Sequence, residues 1–224
     1  MIGYAQRATA IGMNRSGKSE LIRYLFASLN VRRVLIDPKG EWAVPGQPRH
    51  VLRSRDKIGC EREVDAIDWT APIVHVVPGW EDKQQLEALF ARVASIAGPM
   101  TVWIDECYGV SNASWAPSGL RQLIVAGAGL GHGVFAATQR PRNVSKLFLT
   151  EADHLFIFPP LDVEDLKEAR RGVPFLGVDQ ALALAGELPR HGYIWASKRD
   201  GTIAKGPPIP PEYLSYRSDV VHKR

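Results

Sequence analysis

Apolar residues fall along this chain in two alternating rhythms. Ala8 to Ile11, Val34-Leu35-Ile36, Ile73 to Val77, Thr101 to Ile104, Val134 to Thr138 and His154 to Phe158 are nearly continuous apolar runs. That is the pattern of strands buried on both faces. Between them lie stretches with helical spacing. Lys18 to Leu29 carries Leu21, Ile22, Leu25, Phe26 and Leu29 on one face. Glu81 to Ala97 does the same with Leu86, Leu89, Phe90, Val93 and Ile96, and Gly98-Pro99 stops it. Another helix is expected from about Ser118, ending in Gly127, Gly129, Gly131 and Gly133. Val144 to Leu149 reads as a short helix, and Asp162 to Arg171 and Asp179 to Leu188 as surface helices. Tyr193 to Ala196 and Ile203-Ala204 predict a hairpin across Asp200-Gly201. Strand, helix and strand from Ala8 to Ile36 form one βαβ unit. The alternation predicts an α/β fold: a mostly parallel central sheet, helices on both faces, a small C-terminal β-hairpin and a Pro-rich tail.

With 224 residues, one sizeable core is the expectation, here a single domain over residues 1–206 with a tail at 207–224. Periodicity lapses from 43 to 63, where Pro45, Gly46 and Pro48 precede Arg49, His50, Arg53, Arg55, Lys57 and Arg62. Residues 43–72 are therefore expected to form a basic surface excursion with room for a small hairpin. No apolar run reaches the roughly 20 residues that span a bilayer. The stretch from Met1 to Arg7 lacks the layout of a signal peptide, so the expected compartment is a cytoplasm. Cys60 and Cys107 have no metal-ligand spacing and read as free thiols. A net charge of +4 permits a nucleic-acid partner without requiring one.

The chemistry begins between the first strand and the first helix. Gly12-Met13-Asn14-Arg15-Ser16-Gly17-Lys18-Ser19 fits the phosphate-binding pattern G-x-x-x-x-G-K-[ST] without a gap. Gly12 and Gly17 let the backbone wrap closely round phosphate. The N–H groups of residues 12 to 19, Asn14, Arg15 and Ser16 among them, then face the anion at a helix N-terminus. Lys18 would reach the β- and γ-phosphates, and the Ser19 hydroxyl would ligate Mg²⁺. The run Val102-Trp103-Ile104 leads into Asp105-Glu106. Asp105 there would hold Mg²⁺, and Glu106 would polarise an attacking water. Thr138-Gln139 ends a later strand, where Gln139 would sense the γ-phosphate or hold the water. This order is the layout of the RecA-like (ASCE) branch of P-loop NTPases, in which one strand separates the P-loop strand from the catalytic acidic strand.

Four segments together resemble the FtsK/HerA superfamily of DNA-pumping ATPases: Gly12 to Ser19, Asp37-Pro38-Lys39-Gly40-Glu41, Val102 to Glu106, and Ala137-Thr138-Gln139-Arg140-Pro141. The likeness covers about residues 5 to 160 and continues faintly to about 205. It implies a RecA-like motor domain, ATP and Mg²⁺ as cofactors, a ring of usually six copies, double-stranded DNA in the pore and an arginine finger from the neighbouring copy. The size is similar to that of the genome-packaging ATPases of membrane-containing viruses. That likeness extends the partners to a capsid vertex or membrane protein and the location to host cytoplasm or virion. One departure stands out. Where many relatives carry a Gly-Arg pair, this chain reads Gly127-Ala128-Gly129-Leu130-Gly131. Arg121, Arg140 and Arg142 are the remaining candidates for the finger. Arg49, Arg53, Arg55, Lys57 and Lys146 are candidates for DNA phosphate contacts. A conjugation or plasmid-mobilisation pump, a P-loop switch that moves no DNA, and a small-molecule kinase are the competing readings. Glu106 disfavours the switch, and no lid or acceptor site favours the kinase.

Overall fold

The computed structural model describes residues 2–160 and 162–210. Nine strands form one sheet, with the first seven parallel. In chain order they are β1 (Arg7–Gly12), β2 (Arg32–Ile36), β3 (Arg49–Val51), β4 (Ile73–Val77), β5 (Met100–Asp105), β6 (His132–Thr138), β7 (His154–Phe158), β8 (Ile194–Ser197) and β9 (Thr202–Lys205). Their spatial order is β3-β4-β2-β5-β6-β1-β7-β8-β9. As expected, one strand, β6, lies between β1 and β5. β8 and β9 are the expected antiparallel hairpin.

Alternation along each strand feeds two cores. On one face, Leu35, Trp103, Phe135, Ala8 and Ala10 meet Leu21, Ile22 and Phe26 of α1 (Lys18–Ser28). Trp103 and Phe135 stack there with ring centroids 4.2 Å apart. On the opposite face Val34, Val76, Val102, Ile104 and Val134 pack under α2 (Lys57–Asp65), α3 (Lys83–Ala94) and α4 (Ser118–Ala126). That layer continues over β1, β7 and β8 through α5 (Leu147–Thr150), α6 (Val163–Ala169) and α7 (Val178–Gly186). Helices do lie on both faces, but unevenly. Among the described residues, α1 is the one helix that enters the first core.

Boundaries shift where side chains compete with the helix. α3 begins at Lys83, not Glu81, because the Asp82 carboxylate accepts hydrogen bonds from the N–H groups of Gln84 and Gln85. The Pro-rich segment is described as far as Pro210, and the rest of the tail lies outside the described residues. The 43–72 segment holds no hairpin. Arg49–Val51 instead adds to the sheet edge as β3, parallel to β4, and α2 follows it.

No helix among the described residues is long and apolar enough to cross a membrane.

Candidate active site

Parallel strands send their carboxyl ends to the same edge, and the loops there converge. Gly12 closes β1 with no room for a side chain. A Cβ on it would lie 2.6 Å from Phe158 Cβ and 2.9 Å from the Phe158 carbonyl oxygen. Gly17 has φ 111° and caps α1 without a side-chain acceptor. The first N–H groups of α1 therefore remain open to an anion. Lys18 is buried and its Nζ donates to the Met13 carbonyl at 3.0 Å, which ties the loop shut. Burial lowers the pKa of its ammonium, against the pull of Glu106 and Asp105. The Ser16 hydroxyl is buried without a partner among the described residues.

Register then sets the acidic pair. Asp105 pairs with Ala137 of β6, and Thr138 of β6 pairs with Ile11 of β1. Glu106, one residue past the strand, consequently lies beside Thr138. One carboxylate oxygen of Glu106 accepts from the Thr138 hydroxyl at 3.3 Å and from the Gln139 N–H at 3.4 Å. The other accepts from Lys39 Nζ at 3.4 Å. Glu106 has φ 84°, a conformation that costs a residue with a Cβ. Asp105 is buried, and burial pushes its carboxyl above the usual carboxylate range, although a hydrogen bond from Trp42 opposes that. The Trp42 indole N–H donates to Asp105 at 2.5 Å.

These elements enclose a cleft of about 490 Å³. Asn14 to Ser19 form one side, and Lys39, Glu41, Asp105, Glu106 and Gln139 the other. The fold has thus brought together the predicted loop, acidic pair and glutamine. Ser19 and Asp105 offer hard oxygen donors to the same space, which suits Mg²⁺; that ion takes one or two carboxylates and completes its shell with phosphate and water. A second cleft, of about 400 Å³, adjoins the first across Asn14, Arg15 and Ser16. Pro159, Pro160 and the Pro189 to Gly192 loop form its far wall.

Other predicted residues lie apart from the cleft. Arg121 is exposed on α4, and Arg140 is exposed just after Gln139. Arg142 is engaged by α6, with Nε 3.1 Å from Asp165 and Nη2 3.3 Å from Asp162. Arg49, Arg53, Arg55 and Lys57 are exposed along β3 and the approach to α2, and Lys146 is exposed before α5. Sequence reasoning missed Lys39, Glu41 and Trp42 as members of the site. The one signal for them was the polar Asp37 to Glu41 turn running into a large aromatic residue.

Solved structures of other proteins have this architecture. The genome packaging NTPase B204 from Sulfolobus turreted icosahedral virus 2, in complex with ATP-gammaS, matches with a TM-score of 0.67 and 17% identity, over 93% of this chain and 100% of that one. B204 from Sulfolobus turreted icosahedral virus, described as the DNA-packaging ATPase, gives the same TM-score, identity and coverage. VirB4 of Thermoanaerobacter pseudethanolicus matches with a TM-score of 0.64 and 10% identity, over 93% of this chain and 91% of that one. This chain shares their fold. No family model matches the sequence. None of the curated proteins matches it either.

Proposed function

We propose that this chain is an Mg²⁺-dependent ATPase that drives movement of double-stranded DNA, in the manner of a viral genome-packaging motor. The observation that carries this reading is the convergence of Lys18, Ser19, Asp105, Glu106 and Gln139 on one cleft at the carboxyl edge of the sheet. The open N-terminus of α1 and the loop N–H groups receive the polyphosphate, and Lys18 offsets charge at its β–γ end. Ser19 and Asp105 would hold Mg²⁺, which would supply positive charge to the phosphoryl group. Glu106 orients the attacking water and draws on its proton, and the Gln139 side chain steadies the same water. The nucleoside end occupies the adjoining cleft, beyond Asn14 to Ser16.

A ring of copies, six by the FtsK/HerA likeness, completes each site with an arginine from the neighbour. Arg121 and Arg140 are exposed and suit that task better than Arg142, whose guanidinium is already paired with Asp162 and Asp165. Arg49, Arg53, Arg55, Lys57 and Lys146 supply sequence-independent phosphate contacts. The packaging role is favoured by B204, because the match runs the full length of that DNA-packaging ATPase.

Two measurements test the reading together. Glu106→Gln is expected to bind ATP and to lose turnover by about 10²- to 10⁴-fold, the range of general-base catalysis. Blunt duplex DNA at low salt is expected to stimulate the ATPase, with the stimulation fading as salt rises. ATP hydrolysis that duplex DNA leaves unchanged would favour a nucleotide-dependent switch.

A further inference from the structure

The Asp37 to Trp42 turn leaves the carboxyl end of β2, next to β5. Register pairs Ile36 with Ile104, so the turn starts level with the acidic pair. Asp37 anchors it from within. Fully buried, its carboxylate accepts from the Trp42 N–H at 2.8 Å and meets His75 Nε2 at 3.3 Å. Gly40, at φ 65°, reverses the chain, and its N–H donates to the Asp37 carbonyl at 3.0 Å. The turn then presents two donors. Trp42 Nε1 reaches Asp105 Oδ2, and Lys39 Nζ reaches Glu106 Oε2. The indole has little freedom. It is 4% exposed, meets Phe26 edge-on at 5.5 Å and lies under the Arg23 guanidinium at 5.2 Å.

We propose that this turn is a positioning element for both acidic residues, with Trp42 fixing the Asp105 carboxylate and Lys39 fixing that of Glu106. Among the described residues, no other side chain from the β2 side donates a hydrogen bond to either carboxylate. Glu106 is steadied on its other side by Thr138 and the Gln139 N–H, so its carboxylate is gripped between β6 and the turn. Outer partners of a metal-holding carboxylate set its orientation, and their loss typically weakens metal binding or activity by about 10- to 100-fold. The assignment rests on the hydrolytic reading of the cleft.

Trp42→Phe keeps an aromatic ring beside Phe26 and Arg23 but removes the indole N–H, together with the volume of the second ring. In the full chain with a non-hydrolysable ATP analogue, Mn²⁺ binding followed by electron paramagnetic resonance is expected to weaken at least about tenfold. Analogue affinity measured without metal is expected to hold. Lys39→Met is expected to slow turnover at saturating ATP with Mn²⁺ affinity retained. Undiminished Mn²⁺ affinity in Trp42→Phe overturns the role of Trp42, and full turnover in Lys39→Met overturns that of Lys39. Should Trp42→Phe fail to fold, Gly40→Ala strains the turn at its positive φ from outside the cleft. The same loss of Mn²⁺ affinity is expected, and its absence counts against the turn. Lys18→Ala separates the two levels of inference. ATP turnover that survives it refutes the hydrolytic reading, whereas a null result in Trp42→Phe alone refutes only the positioning element.

Discussion

Glu106 sits where a glycine would be more comfortable, and this gives a prediction in which stability and activity part company. At φ 84° and ψ 85° the residue lies outside the regions favoured by residues with a Cβ. Strain of this kind costs about 1–3 kcal/mol. Glu106→Ala and Glu106→Gly remove the same side-chain contacts, to Lys39, Thr138 and the Gln139 N–H. They differ chiefly in the backbone. Ala keeps the strain. Gly relieves it but loses about 0.5–1 kcal/mol through the greater freedom of the unfolded chain. The balance leaves Glu106→Gly more stable than Glu106→Ala by about 1 kcal/mol, the reverse of the order at an ordinary position. For a chain of this size that is about 2–4 °C in Tm. Thermal unfolding of the two variants, side by side, measures it. Both should also have lost turnover, read as phosphate release at saturating ATP. An alanine variant as stable as the glycine variant, or more so, would refute the strain argument. Strong turnover in either would refute the role given to Glu106.

Two other substitutions probe the frame of the site. Gly12→Ala would drive a methyl group against Phe158, backbone included, so a loss of about 1–3 kcal/mol in urea unfolding and of ATP binding is expected. Asp153 anchors the start of β1 through Arg7, with Nη2 at 3.0 Å and Nε at 3.1 Å. Burial alone would raise the Asp153 pKa, but the hydrogen bonds and charge of Arg7 outweigh it and hold the folded pKa below the ordinary aspartate range. A carboxyl depressed on folding stabilises fully above its unfolded pKa, near 3.9, and that contribution fades as pH falls through the lower folded value. The Tm of the unaltered protein should therefore fall more steeply below about pH 4 than that of Asp153→Asn, and parallel curves would refute the linkage.

The parallel strands were legible because burial on both faces leaves nearly unbroken apolar runs, as in Ile73 to Val77. β3 was not. It is a three-residue edge strand, and Arg49 and Val51 are exposed, so no apolar signal marks it. α2 escaped for a related reason. Only Cys60 and Val64 of its nine residues are buried, and Ile58 faces solvent. Within the site, Gly12 to Ser19 could be read directly, because wrapping a phosphate demands glycine and lysine at fixed spacing in one segment. Asp105 and Glu106 could be read from the strand that delivers them. Trp42 and Lys39 could not. Their reach to Asp105 and Glu106 depends on the β2–β5 register, which joins residues more than sixty positions apart. The second cleft depends likewise on the packing of residues 159–160 and 189–192 against the loop.

Charge in the main cleft bears on how the site must work. Its lining holds Arg15, Lys18 and Lys39 against Glu20, Glu41, Asp105 and Glu106. A polyphosphate entering this space meets more carboxylates than cations, and much of the lining is shielded from water, where like charges repel strongly. Lys18 cannot balance the excess alone, because Glu106 and Asp105 already draw on it. Lys39 is likewise engaged with Glu106. A bound polyphosphate would therefore call for positive charge beyond that of the described lining. Ser19 and Asp105 would hold a divalent ion that supplies part of it. In the proposed ring, an arginine from a second copy would supply more, at the moment when charge on the transferring phosphoryl group is greatest. On this account the acidic excess has a use. Under the proposed function it would hold the nucleotide less tightly in a lone subunit than in an assembled one, so hydrolysis would be favoured where a neighbour is in place.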